Sequence, residues 1–310
     1  MKILVVGAGA IGGFFGGRLL AAKRDVTFLV RPGRAAQLAK TGLVIKSKLG
    51  DVSLPDPPLV SAETLKGPYD VVLLACKAFD LEDAMTAFAP AVGPDTAILP
   101  LLNGMAHVSA LGKRFSRKNV LGGQAALPLT LDPEGRILHL SDQLNISFGE
   151  LDGTASPRVA ALAAEFATAG IQAGQSATML QDMWEKWAFI ATAGGITSLM
   201  RGTVGDIVAG GGAPLVTALY EEIGMIAAAN GHALRAPAVE RAKSTLTAAG
   251  SPFNSSMARD VEGGHRVEAD HVIGDLLKRA KGGDYPMLVV AYAHLKAYEA
   301  RRAREIAARA

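Results

Sequence analysis

The amino-acid sequence predicts an α/β fold in two parts, with a doubly wound parallel sheet in the first half and an all-helical second half. Short apolar runs recur through the first half and end at glycine or polar residues, as buried parallel strands do. After Ser156 the apolar residues recur at helical spacing for most of the remaining chain. The 310 residues suffice for two domains, which we predict over residues 1–175 and 176–310.

The first apolar runs have the length and order of a βαβ unit. Residues 2–6 predict a strand, Ala10–Ala22 a helix and residues 25–30 a second strand. We predict further strands at 70–75 and 97–101, and extended segments at 119–129 and 136–148 around a turn at 132–135. In the second half we predict helices at 178–193, 214–229, 236–249, 266–281 and 286–308, with Gly194 and Gly195 inside or ending the first, and Gly231 and Gly250 as C-caps.

The composition argues against several classes of protein. The net charge of +3 is too small to indicate a nucleic-acid partner, although it suits a small anionic substrate. Cys76 is the only cysteine, which excludes an intramolecular disulfide and favours a cytoplasmic location. Glycines interrupt the apolar N-terminal run, which argues against a signal peptide. No run reaches the roughly 18 apolar residues of a membrane span. The histidines lack the spacing of metal ligands, so we expect no metal site.

The segment "GAGAIG" at residues 7–12 predicts a dinucleotide-binding turn of Rossmann type. Gly7 permits the tight turn after the strand, Gly9 lets a pyrophosphate approach the backbone, and Gly12 lets the helix pack closely on the strand. The position between a strand and a helix makes the motif more specific than the glycines alone. The predicted cofactor contacts are Gly7, Ala8, Gly9, Ala10, Ile11 and Gly12.

The residue that follows the second strand indicates which dinucleotide binds. An NAD enzyme normally has Asp or Glu there for the ribose hydroxyl, but this chain has Arg31, with Arg34 close behind. A guanidinium is always charged and binds phosphate in a bidentate manner, so the sequence predicts NADPH. The alternative is an arginine that is merely solvated in a loop.

Two further polar residues follow predicted strands. Lys77 comes after "DVVLLAC", and Asn103 comes after "AILPLL". Because the carboxyl ends of parallel strands line the ligand crevice, we expect both residues in the functional site. The alternative is that each is simply the first solvated position after its strand.

Several motifs in a fixed order resemble the ketopantoate reductase (2-dehydropantoate 2-reductase) family, and the resemblance covers nearly the whole chain. The motifs are "GAGAIGG" at the start, Arg31, "CKAFD" at 76–80, "LLNGM" at 101–105, "WEKW" at 184–187, "SSM" at 255–257, "RVEADHVIGDLL" at 266–277 and the "GGDYP" segment that ends at Pro286. The resemblance implies NADPH-dependent reduction of ketopantoate to pantoate, in pantothenate biosynthesis.

The resemblance also implies roles for individual residues. It assigns cofactor contacts to Lys77 and Asn103, with Asn103 also touching substrate, and makes Lys186 the catalytic acid. It places Ser256 on the substrate carboxylate and Glu268 at both cofactor and substrate. These types suit the chemistry, because an ammonium stabilises the charge that develops on a carbonyl oxygen and can supply the proton. The alternative for Lys186 is a surface lysine beside two core tryptophans.

The substrate half departs from the family pattern. Asparagines are expected four and eight residues after the lysine, but Ile190 and Gly194 stand there. Phe253 occupies another position where asparagine is common, although Asn254 is adjacent. Replacing polar side chains by apolar ones changes which substrates a site selects. A reductase of a different, less polar 2-oxo acid is therefore an alternative.

A third hypothesis is a sensor that binds NADP(H) without turnover. Lys186 and Glu268 argue against it, because a sensor needs no proton donor. The helical second half also offers a surface for a homodimer. Besides the substrate, the partner that we expect is a second copy of this chain.

Overall fold

The computed structural model describes residues 1–308, so residues 309–310 of the second predicted domain lie outside it. The chain divides into two compact units. The first unit comprises Met1–Leu102 and His107–Leu180, and the second comprises Asn103–Ala106 and the chain from Gln181 onward. The short segment that begins at Asn103 therefore belongs to the second unit, although it directly follows a strand of the first.

Within residues 1–308, the strands all lie in the first unit and form three sheets. They are β1 (Lys2–Val6), β2 (Asp25–Leu29), β3 (Leu43–Ser47), β4 (Val52–Leu54), β5 (Leu59–Val60), β6 (Val71–Leu74), β7 (Ala97–Pro100), β8 (Leu121–Ala126), β9 (Leu129–Leu131), β10 (Ile137–His139), β11 (Asn145–Glu150) and β12 (Gly174–Gln175). The main sheet is parallel throughout, in the order β5-β2-β1-β6-β7. This order matches the Rossmann pattern and confirms the predicted fold class.

The register of the main sheet aligns the carboxyl ends of its strands. Val6 at the end of β1 pairs with Leu29 on one side and with Leu74 on the other, and Leu74 pairs with Pro100. The residues that follow β1, β2 and β6 therefore leave the sheet at the same edge. The core beneath them is built from buried apolar side chains of the strands and of the first helix.

The two extended segments predicted after residue 119 form strands of two smaller sheets. The sheets have the orders β4-β3-β10-β9 and β12-β11-β8, so each predicted segment contributes to both. The segment 119–129 divides before Pro128, which lacks the amide that an inner strand position requires. The turn at 132–135 is confirmed, with Gly135 at a φ of +80° and its amide bonded to the Asp132 carbonyl. The strands β3, β4, β5 and β12 were not predicted from the sequence.

The helices cover both units. They are α1 (Ala10–Ala21), α2 (Pro32–Thr41), α3 (Leu81–Phe88), α4 (Ala106–Arg114), α5 (Pro157–Thr168), α6 (Met179–Met200), α7 (Val204–Ala209), α8 (Ala213–Ala229), α9 (Ala236–Leu246), α10 (Ser256–Glu262), α11 (Asp275–Arg279) and α12 (Pro286–Ala307). Gly231 follows α8 with a φ of +86°, as predicted. The prediction that Gly250 caps α9 is wrong, because that helix ends at Leu246.

The helix that begins near residue 178 is longer than predicted. Gly194 and Gly195 lie inside it, which is one of the two predicted alternatives, and the helix ends at Met200. A Cβ atom on Gly195 would lie 3.1 Å from Leu219 Cδ2 and 3.3 Å from Ala291 Cβ. The glycine therefore permits close packing of α6 against α8 and α12, and this packing outweighs its low helix propensity.

The helix predicted over 266–281 is wrong at both ends. Residues 265–268 are not helical, Asp270–Gly274 form a π-helical turn, and α11 ends at Arg279. The Trp187 indole donates to the Val272 carbonyl at 2.8 Å, within the widened turn. Turns of this kind often occur at functional sites. Among residues 1–308, no helix is long and apolar enough to span a membrane.

Candidate active site

The glycine turn after β1 has the geometry that a dinucleotide requires. Gly7 has a φ of +94°, and its amide donates to the Leu29 carbonyl at 3.0 Å. Gly9 precedes α1, and a Cβ built there would have no atom within 4 Å, so its surroundings are open. A Cβ on Gly12 would lie 2.0 Å from the Gly7 carbonyl oxygen, so only glycine allows this approach.

Arg31 and Lys77 lie at the same edge of the sheet. Arg31 immediately precedes α2, and 62% of its side chain is exposed. Its Nη2 atom lies 3.0 Å from Asp80 Oδ1, in the short 3₁₀ turn that Lys77 precedes. The Lys77 side chain is exposed. The structure thus brings these two predicted residues to the edge where Gly7 begins the turn.

Arg34 differs from Arg31 because its guanidinium is occupied within the fold. Its Nε donates to the Ala8 carbonyl at 2.9 Å, and its Nη2 donates to the Gly135 carbonyl at 3.1 Å. Burial lowers the pKa of this guanidinium from its ordinary value. Arg31 is therefore the exposed arginine of the pair.

The second unit holds Lys186 on α6 between two buried tryptophans, Trp184 and Trp187. The Trp187 indole binds the Val272 carbonyl, and the Val272 amide donates to the Glu268 carbonyl at 2.9 Å. This sequence of bonds ties the backbone at Glu268 to the helix that carries Lys186. The backbone positions of Lys186 and Glu268 are therefore connected by these hydrogen bonds.

The electrostatic surroundings of Lys186 suit a proton donor. Desolvation lowers the pKa of its ammonium to about 8, although part of the side chain is solvent-accessible. The Glu268 carboxylate acts in the opposite direction, because it favours the charged ammonium. A donor whose pKa lies near the working pH is both protonated and able to release its proton.

His271 connects Glu268 with Asn103. Desolvation lowers the pKa of His271, while the carboxylates of Glu268 and Asp275 and a hydrogen bond to the Asn103 backbone raise it. A Cβ on Gly104, at a φ of +76°, would lie 2.9 Å from the His271 carbonyl oxygen. Electrostatic neighbours thus link Lys186 to Glu268, Glu268 to His271, and His271 to the backbone of Asn103.

Ser256 is the first residue of α10, and its side chain is exposed. The adjacent Ser255 is buried, and its hydroxyl accepts from the Ala258 amide and lies 2.8 Å from Thr197 Oγ1. In the "SSM" motif, the first serine therefore caps the helix, and Ser256 is the serine whose side chain faces solvent.

The positions that depart from the family pattern lie in apolar surroundings. Ile190 is half-buried one turn beyond Lys186 on α6. Gly194 is buried, and a Cβ there would make ordinary contact with Met257 at 3.5 Å. The Phe253 ring packs against Phe189, with centroids 6.0 Å apart. Apolar groups therefore occupy the positions where the family pattern has amide side chains.

Both units of the chain match models of one known protein family. Residues 3–153 match the family model described as ketopantoate reductase PanE/ApbA, and residues 178–299 match the model of its C-terminal domain. The chain belongs to the ketopantoate reductase family. It is an oxidoreductase of the type that acts on CH–OH groups. The resemblance seen in the sequence motifs is thereby confirmed.

Individual relatives differ in what is known of them. The uncharacterized oxidoreductase YkpB of Bacillus subtilis is 40% identical over 306 residues, which is 97% of this chain and all of that protein. The crystal structure of 2-dehydropantoate 2-reductase from Methylococcus capsulatus is 30% identical, with a TM-score of 0.86 over 97% of this chain and 98% of its own. D-mandelate dehydrogenase with NADH and anilino(oxo)acetate shares the fold, with 21% identity and a TM-score of 0.86 over 97% and 99%.

Two residues that shape the candidate site were not predicted from the sequence. His271 was not among the predicted site residues, but it is half-buried and contacts the Asn103 segment. Its position three residues after Glu268 was the available signal. The sequence contained no comparable signal for the buried Ser255, because two adjacent serines are equivalent until a helix start separates them. Among the described residues, no group of three or more His, Cys, Asp or Glu side chains could hold a metal ion.

Proposed function

We propose that this protein reduces a 2-oxo acid with NADPH, and that 2-dehydropantoate is the substrate, giving pantoate. The observation that carries the proposal is the placement of Lys186 beside Glu268, with the pKa of the lysine lowered to about 8. Membership of the ketopantoate reductase family supports the reaction type. A bound nicotinamide would supply the hydride.

The glycine turn and Arg31 fit a phosphorylated dinucleotide. The open space at Gly9 admits a pyrophosphate, and the start of α1 presents backbone amides to an anion. Arg31 at the start of α2 supplies the positive charge that a 2′-phosphate requires. Lys77 adds a second cation at the same sheet edge. These features favour NADPH over NADH.

Lys186 has two tasks in the proposed reaction. Its ammonium stabilises the negative charge that develops on the substrate carbonyl oxygen, and then donates the proton that completes the hydroxyl group. Glu268 orients the ammonium and holds it in the charged form. Asn103, whose backbone His271 binds, offers an amide to cofactor and substrate. Ser256 offers its hydroxyl to the substrate carboxylate.

A second candidate keeps this chemistry and changes the substrate. Ile190, Gly194 and Phe253 remove amide side chains that would bind substrate hydroxyls or carboxylate, and Met257 adds apolar surface nearby. A less polar 2-oxo acid would lose fewer hydrogen bonds at such a wall than ketopantoate, which carries a hydroxyl group.

The test is product analysis with deuterium-labelled NADPH and a panel of 2-oxo acids. The proposal predicts pantoate carrying one deuterium at the carbon that bore the keto group. Faster labelling of an apolar 2-oxo acid would favour the second candidate, and Ile190→Asn should then shift the preference back towards ketopantoate. Tight NADPH binding with no labelled product from any acid would indicate a sensor and contradict the proposal.

A further inference from the structure

Arg34 joins three segments of the first unit through one guanidinium. Besides its bonds to the carbonyls of Ala8 and Gly135, its Nη1 donates to Gln37 Oε1. The three partners come from the glycine turn, from the turn at 132–135 and from the next helical turn of α2. Only a side chain with several donors in a fixed plane can serve all three at once.

The turn at 132–135 fits closely onto this arrangement. Gln37 Nε2 donates to the Glu134 carbonyl at 3.2 Å, beside the bond from Arg34 to Gly135. A Cβ on Gly135 would lie 2.3 Å from Gln37 Nε2 and 2.6 Å from Arg34 Nη1. Gly135 therefore lets the turn approach the side chains of Gln37 and Arg34. The bonds to the turn also restrain the Arg34 guanidinium.

The bond from Arg34 to Ala8 has a consequence at the next residue. The Ala8 carbonyl and the Gly9 amide belong to one planar peptide group, and in a trans peptide they point in opposite directions. Fixing the carbonyl towards Arg34 therefore fixes the Gly9 amide on the other side of the peptide. The surroundings of Gly9 are open, so an anionic group can reach that amide.

We propose that Arg34 is a positioning residue for the cofactor, which sets the direction of the Gly9 amide and so prepares the turn for the pyrophosphate. This inference rests on the proposed binding of a dinucleotide, but not on the choice between NADPH and NADH. Both cofactors carry the same pyrophosphate, so Arg34 affects both equally. Arg31 instead acts on the 2′-phosphate, which only NADPH has.

The test is calorimetric titration of Arg34→Met with NADPH, NADH and 2′-AMP. The dissociation constants for NADPH and NADH should both rise by about tenfold and by the same factor, because the oriented amide is lost for both. The affinity for 2′-AMP should be unchanged, because this ligand carries the 2′-phosphate but no pyrophosphate. Arg34→Lys, which keeps a donor for Ala8 but loses the others, should give an intermediate effect.

Arg136→Met is the matched control, because Arg136 lies next to the same turn and its side chain bonds to Asp132 and Glu134 rather than to Ala8. It should leave all three affinities unchanged. Equal weakening of 2′-AMP by Arg34→Met would indicate general loosening of the domain, and weakening of NADPH alone would make Arg34 a phosphate ligand. Either result, or no change at all, would overturn the inference. If Arg31→Met does not weaken NADPH binding relative to NADH binding, the assignment of NADPH as the cofactor fails. The effect of Arg34→Met on NADH binding would still test the role of Arg34.

Discussion

The Arg31 guanidinium lies between two carboxylates, with Nη2 3.0 Å from Asp80 Oδ1 and 3.6 Å from Asp83 Oδ2. The group of three carries a net negative charge, although its arginine is the residue that we assign to the 2′-phosphate. A phosphate that binds Arg31 must therefore share or displace the Asp80 contact. Under the proposed assignment, the Asp80 carboxylate would repel the 2′-phosphate that Arg31 would bind.

Asp80→Asn should accordingly tighten NADPH binding. We expect the dissociation constant for NADPH to fall about threefold at low salt, because one exposed charge contributes little and is screened by ions. The constant for NADH should not change, since NADH lacks the 2′-phosphate. Titrations at two salt concentrations check this, and equal effects on both cofactors would show that Asp80 acts on the shared part of the site.

Arg31→Met should remove the preference for NADPH. The KM for NADPH is expected to rise by about tenfold or more, because a charge-assisted pair with phosphate is lost. The KM for NADH should remain near that of the unaltered protein. Steady-state kinetics with each cofactor measure the ratio, and an unchanged ratio would assign the 2′-phosphate to other residues.

Lys186→Ala should abolish most of the turnover while sparing the cofactor. General-acid catalysis typically contributes about 10²–10⁴-fold, so we expect a loss of kcat in that range. The dissociation constant for NADPH should be unchanged, because the predicted cofactor contacts exclude this side chain. Rapid turnover in the variant would rule out Lys186 as the proton donor.

The pH dependence of activity should follow the ionisation of Lys186. The donor must be protonated, so kcat/KM should be level below the lysine pKa of about 8 and should fall as the pH rises above it. Glu268→Gln removes the carboxylate that raises this pKa, so the pKa should drop further and the decline should begin at lower pH. A decline at the same pH in both proteins would show that Glu268 does not influence the pKa of Lys186.

Trp187→Phe should disturb both stability and catalysis. The change leaves the Val272 carbonyl without its indole donor, which should lower the free energy of unfolding by about 2 kcal/mol. It should also lower kcat, because Val272 holds the backbone of Glu268. Denaturation followed by circular dichroism measures the first effect. Trp184→Phe is the control, since Trp184 stacks on His232, and it should lower stability with little effect on kcat.

The sequence predicted those parts of the fold that depend on local pattern. The glycine turn, the strands β1, β2, β6 and β7 and the helix α12 lie close to their predicted bounds, because apolar periodicity and glycine spacing are local signals. The short strand β5 has only two residues and completes the sheet through pairing with β2. Such a strand has no period to detect, so its existence depends on tertiary contacts.

The candidate site was predictable in residue type but not in arrangement. Family motifs pointed to Lys186 and Glu268, but the local pattern did not predict the non-helical residues 265–268 or the bond from Trp187, which is distant in sequence, to the Val272 carbonyl. The sequence pointed to Arg31 for the 2′-phosphate and assigned no separate role to Arg34. The bonds that half-bury Arg34, including the one to the Ala8 carbonyl, depend on residues distant in sequence and so were not predictable from local pattern.

The most direct test of the central claim is the initial rate of cofactor oxidation with ketopantoate, with NADPH and NADH in parallel assays. We predict efficient oxidation of NADPH and slow oxidation of NADH at the same concentrations. This result would support both the reaction and the role of Arg31. Binding of NADPH without oxidation, with ketopantoate and with every other 2-oxo acid supplied, would contradict the account.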